Sequence, residues 1–94
     1  MSSRHRHRDE FTGSAHEYQW QIVHTMLMVA REMRKNTFRP YEIWEALRRN
    51  GAVISLLSVH DRFRDLVKLG HLARERRGVY RLTEQGKAYA ENRP

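Results

Sequence analysis

Seven cationic side chains crowd into residues 62–81: Arg62, Arg64, Lys68, Arg74, Arg76, Arg77 and Arg81. Two acids, Asp65 and Glu75, share the stretch. The block therefore holds +5 of the chain's formal +7. Such a local surplus suits a polyanionic partner, because each cation that neutralises a phosphate releases a condensed counterion. If about five phosphates were neutralised, log affinity would fall against log salt with a slope of roughly −4 to −5. The competing explanation is a solvated ribbon kept charged to prevent strand pairing.

Catalytic patterns are weaker. Ser58, His60 and Asp61 lie together in sequence, but one helix turns them in different directions. A triad needs its base between nucleophile and orienter in space. The chain carries no Gly-rich phosphate loop and no His-Glu-x-x-His pattern. It has no cysteine, which removes disulfides, zinc–thiolate sites and thiol nucleophiles. His5 and His7 form a pair without a third ligand in view, so no metal is expected. His24 and His71 read as structural. The expectation is a binding protein, not an enzyme, with no cofactor.

The elements that must position these cations can be read from the hydrophobic period. Residues 1–13 hold one large apolar side chain, Phe11, and cannot offset their ordering entropy. They read as a flexible basic arm, with or without a role in binding. Residues 14–94 read as one domain. Ser14 and Glu17 have capping-box spacing, and Ile22, Val23, Met26, Leu27, Ala30 and Met33 then recur at helical spacing. This first helix should reach about Lys35. Tyr18, Trp20, Met28 and Val29 widen its apolar stripe, so it needs a second covering surface. That surface is either the rest of its own domain or, as the expectation adopted here, a second subunit. Tyr18, Trp20, Met28 and, from the last helix, Tyr89 are the candidate dimer contacts.

Asn36 to Arg39 breaks the pattern and suggests a short strand. Pro40 suits the first position of a second helix, with Ile43, Ala46 and Leu47 inward and Trp44 able to fall on either side. Asn50-Gly51 stops it. Ser55 caps a third helix, with Val59, Phe63, Leu66 and Val67 inward and Gly70 beyond its end. Residues 71–76 and 79–82 then alternate around Arg77-Gly78, a hairpin signal. Thr83 caps a final helix from Glu84 to about Asn92. The expected class is α+β: helices with a short three-stranded sheet that ends in a β-hairpin.

Mass and composition agree with a single modest core: 94 residues, 39% hydrophobic and 31% charged. The longest apolar stretch, Thr25 to Ala30, is far short of the ~20 residues that span a bilayer. No hydrophobic run follows the charged N-terminus, so neither a secretory signal nor a membrane partner is expected, and the location expected is cytoplasmic.

The order helix, short strand, helix, helix, two-stranded ribbon, helix resembles the winged helix-turn-helix domain of prokaryotic transcription regulators, MarR-like, PadR-like or small archaeal and viral. Ser58, Val59, His60, Arg62, Leu66, Gly70 and Leu72 fill that family's pattern for the third helix. Gly78-Val-Tyr-Arg-Leu-Thr-Glu-Gln-Gly86 is similar to its segment from wing to last helix. The resemblance covers about residues 16–91. It implies a homodimeric transcription regulator whose third helix enters the major groove of double-stranded DNA. With Val59, Phe63 and Leu66 inward, Leu57, Ser58, Asp61, Arg64 and Lys68 face outward and His60 lies on a flank. Arg64 suits guanine O6 and N7, Leu57 a thymine methyl and Ser58 a phosphate. Asp61 either accepts from cytosine N4 or holds Arg62, Arg64 or His60. Arg74, Arg76 and Arg77 project from the ribbon toward phosphates or the minor groove. Two rivals remain: a winged helix used for contact with a protein of the transcription machinery, and RNA binding through the same face.

Overall fold

The computed structural model describes the backbone of residues 2–92 and the side chains of residues 18–92. Six elements follow in order: α1 (Ser2–Met33), α2 (Pro40–Arg49), α3 (Leu56–Lys68), β1 (Leu72–Arg76), β2 (Val79–Leu82) and α4 (Glu84–Glu91). The class is α+β. The backbone of residues 2–13, read as a flexible arm, continues α1, so the helix does not start at the Ser14–Glu17 cap; the side chains of Ser14, Glu17, His5 and His7 lie outside the described residues. No helix among the described residues is long and apolar enough to cross a membrane.

The core gathers one stripe from every element. Ile22, Val23, Met26 and Leu27 of α1 are buried, as are Ile43, Ala46 and Leu47 of α2, Val59, Phe63 and Leu66 of α3, and Leu72, Val79 and Leu82 of the hairpin. α1 packs against α2, α3, β2 and α4. The broad apolar face of the first helix is therefore covered largely within the chain. α1 ends at Met33, earlier than its periodicity suggested, because Arg34 takes a left-handed φ of 53° and breaks the helical ladder.

The strand expected at residues 36–39 is reduced to a single antiparallel bridge. Phe38 and Tyr80 exchange two backbone hydrogen bonds of 2.7 and 2.9 Å. Pro40 opens α2 two residues later and has no N–H to extend a ladder. The sheet proper has two strands, pairing Leu72 with Leu82, Ala73 with Arg81, Arg74 with Tyr80 and Arg76 with Val79. Glu75 is the extra residue where the register shifts, and Arg77-Gly78 makes the turn.

Helix ends follow their sequence signals. The Ser55 hydroxyl accepts the Ser58 N–H at 3.1 Å at the start of α3. At its end, Gly70 N–H bonds to the Val67 carbonyl and His71 N–H to that of Leu66, the paired closure of a Schellman motif. Trp44 is half-buried: its Nε1 donates to the Ile54 carbonyl at 2.8 Å, and the Arg48 guanidinium lies 4.8 Å from its ring centre.

One junction fixes the hairpin relative to α3. Thr83 Oγ1 donates to the Gly70 carbonyl at 2.6 Å and accepts the Gly86 N–H at 2.9 Å, while the Thr83 N–H bonds to the His71 carbonyl at 3.1 Å. Gln85 Nε2 adds a bond to the Leu69 carbonyl at 3.0 Å. The start of α4 is thus bolted to the turn between α3 and β1. Gly86 permits this closeness, since a Cβ there would lie 2.0 Å from the His71 carbonyl oxygen. The Phe63 ring meets Tyr80 edge-on at 5.0 Å and ties the middle of α3 to β2.

Candidate nucleic-acid interface

The amphipathic pattern of α3 places its side chains as helical geometry requires. Val59, Phe63 and Leu66 are buried; Leu57, His60, Arg64 and Lys68 are exposed; Ser58 and Asp61 are partly covered. Ser58 receives a hydrogen bond from the Ser55 hydroxyl at 3.1 Å, and Asp61 forms an ion pair with Arg64. Ser58, His60 and Asp61 thus have separate surroundings. Of the partners within the chain that the sequence offered Asp61, the one it takes is Arg64, one helical turn on. That pair holds the guanidinium at the helix surface and cancels much of its charge.

Arg62 is half-buried. Its Nε is enclosed without a hydrogen-bond partner, and its terminal nitrogen lies 3.4 Å from Asp65. On the hairpin, Arg81 pairs with Glu75 across the strands. Three of the seven cations in residues 62–81 are therefore engaged with acids. Lys68, Arg74, Arg76 and Arg77 are exposed and make no ion pair among the described residues. The electrostatic surplus is concentrated at the end of α3 and along the hairpin, and is thinner over the middle of α3.

Two basic residues that sequence patterning did not select join this region. Lys35, Arg39 and Arg76 line one recess of about 90 Å³ together with Thr37, Phe38, Glu42 and Val79. Lys35 is paired with Glu42 at 2.8 Å. Burial opposes ionisation of Glu42, but the Lys35 ammonium and the Arg39 N–H outweigh it and hold the carboxyl below its ordinary range. The signal for Arg39 was available: if the 36–39 segment pairs with β2 at Phe38 and Tyr80, its next residue must meet the hairpin turn.

The candidate dimer residues are mostly used inside the chain. Tyr18 donates to the Val53 carbonyl at 3.1 Å. Trp20 stacks on His24 at 4.5 Å between ring centres, and Tyr89 stacks on His71 at 4.3 Å. Met28 stays 40% exposed. Among the described residues no three His, Cys, Asp or Glu side chains gather in a way that could hold a metal ion. Comparison with family models, curated proteins and solved structures finds no match for this chain.

Proposed function

We propose that this chain is a winged helix-turn-helix protein that binds double-stranded DNA and regulates transcription, by occluding or recruiting at a promoter. α3 is the element for the major groove, and the β1–β2 hairpin is the wing over flanking phosphates. The observation that carries the reading is the sorting of charge: Lys68, Arg74, Arg76 and Arg77 stay exposed without acidic partners, next to a helix whose outer face is open. Arg64, steadied by Asp61, is the residue for guanine, and Leu57, 71% exposed, the residue for a thymine methyl. The activity is one of binding, without bond-making chemistry, and a cytoplasmic location goes with it.

Pairing within the chain lowers the number of phosphates in play. With four cations lacking acidic partners, the log–log salt slope should be about −3 to −4, shallower than the raw charge count implies. Selection of duplexes from a random pool, followed by anisotropy titration at two salt concentrations, tests the proposal. A recovered consensus with a slope in that range supports it. Equal affinity for selected and random duplexes removes sequence-specific regulation.

Two copies reading two half-sites complete the proposal, with Met28 as the exposed apolar contact on α1. Met28→Glu is then expected to give monomers by light scattering, and an unchanged mass would remove that face from any subunit contact. A second reading draws on Val53, 88% exposed in the link between α2 and α3, and on Leu57 beside it. These apolar side chains suit contact with a protein of the transcription machinery. That reading predicts weak, sequence-blind DNA binding.

A further inference from the structure

We propose that Arg39, at the N-cap of α2, holds a backbone phosphate jointly with Arg76 at the hairpin tip, so that one phosphate spans two elements. This rests on the duplex-binding reading above and adds a residue from outside the third helix and the wing. Arg39 sits where the chain passes from the Phe38–Tyr80 bridge into Pro40, and its backbone N–H is already taken by the Glu42 carboxylate at 2.9 Å. The side chain turns instead toward the hairpin. Its Nη1 lies 3.7 Å from where a Cβ on Gly78 would stand, so the guanidinium rests over the turn. Gly78 has a φ of 73°, the left-handed conformation that this two-residue turn demands.

Arg39 and Arg76 then face one small recess whose acid, Glu42, is already committed to Lys35. Two like charges on the rim of a shared recess repel each other, and neither forms an ion pair among the described residues, although Glu42 of the same recess feels the charge of Arg39. A phosphodiester oxygen pair between them would remove that repulsion and receive two forked donors at once. Lys35 is held back by Glu42 and also lies 5.5 Å from the centre of the Phe38 ring. Lys35 thus offsets the charge of Glu42, whose other oxygen takes the Arg39 N–H, within the recess.

The test is anisotropy titration of a labelled, pool-selected duplex with the full chain. Variants are Arg39→Gln, Arg76→Gln and the double variant. Arg49→Gln, which loses the same charge at the other end of α2, is the control. Arg39→Gln should weaken binding several-fold and make the salt slope shallower by about 0.9. The double variant should lose less than the product of the single losses, because both residues serve one phosphate. Should Arg39→Gln match Arg49→Gln while Arg77→Gln still weakens binding, this assignment falls and the duplex reading stands. Independent, multiplicative losses would also overturn it, by giving each arginine its own phosphate. An effect confined to an RNA duplex would replace the DNA partner. If the unaltered chain binds no duplex, both the reading and this inference fail.

Discussion

Gly86→Ala separates two opposed contributions by sign. Gly86 lies inside α4, where alanine is the better helix former by about 1 kcal/mol. Judged by helix propensity alone, the substitution should stabilise the protein. The packing says the reverse. An added Cβ would lie 2.0 Å from the His71 carbonyl oxygen, 3.0 Å from its carbon and 3.1 Å from Leu82 Cδ2. The first of these is backbone held by the Thr83 N–H and cannot rotate aside. α4 must therefore lift from the α3–β1 turn. That costs about 1–3 kcal/mol in displaced packing. The Thr83 hydroxyl and N–H bonds to Gly70 and His71 are also stretched or lost, at about 1 kcal/mol each. A net loss of roughly 2–4 kcal/mol remains after the propensity gain, a large share of the ~5–14 kcal/mol expected for a chain of this size. Urea unfolding followed by far-UV circular dichroism should show a lowered midpoint at an unchanged m-value. A thermal midpoint lower by at least about 8 °C should accompany it. A variant equal to or more stable than the parent would refute the junction, and with it the account of how the hairpin is held beside α3.

Three other outcomes follow from single contacts. Arg34→Gly, at the left-handed residue ending α1, should raise stability by roughly 0.5–1 kcal/mol in the same urea assay, because glycine carries no Cβ penalty there. Asp61→Asn should release the Arg64 guanidinium. Anisotropy titration is then expected to show tighter binding to all duplexes, a salt slope steeper by about 0.9 and a smaller preference for the selected sequence. Burial holds the His71 imidazole below its ordinary value, so the folded chain resists a proton that the unfolded chain accepts. Its contribution to stability is thus complete above the ordinary value of 6.5 and declines as pH falls below it. The urea midpoint of His71→Phe should vary less between pH 7 and pH 5 than that of the parent.

Local chemistry made most of the fold legible. Pro40, Ser55, Gly70 and Thr83 stand where backbone geometry needs a fixed φ, a short acceptor or a left-handed residue, and each bounds the element it was expected to bound. The third strand was overread: the apolar break at residues 36–39 marks a contact, but Pro40 limits it to the bridge at Phe38. The first helix was also read as under-covered. Counting apolar residues around a helix does not reveal that α2, α3 and α4 surround it, nor that Trp20 and Tyr89 stack on His24 and His71. In the candidate interface, Leu57, Arg64 and Lys68 were legible because inward and outward positions alternate with the helical period. The Asp61–Arg64 pair was legible only as one of several alternatives, and the Arg81–Glu75 pair not at all, since i,i+3 and cross-strand pairing depend on rotamers and on the Glu75 bulge. Arg39 was missed because its neighbour, the hairpin turn, is distant in sequence and meets it only through the Phe38–Tyr80 bridge.

The most direct measurement is an amide NMR titration of the isotope-labelled chain with a pool-selected DNA duplex. Shifts confined to Arg39, the outward residues of 57–68 and the hairpin at 74–77, with Met28 and the helix-one face unmoved, are what a groove-reading helix beside a cationic wing predicts. Perturbations centred on the link around Val53, or no change at saturating duplex, would contradict it.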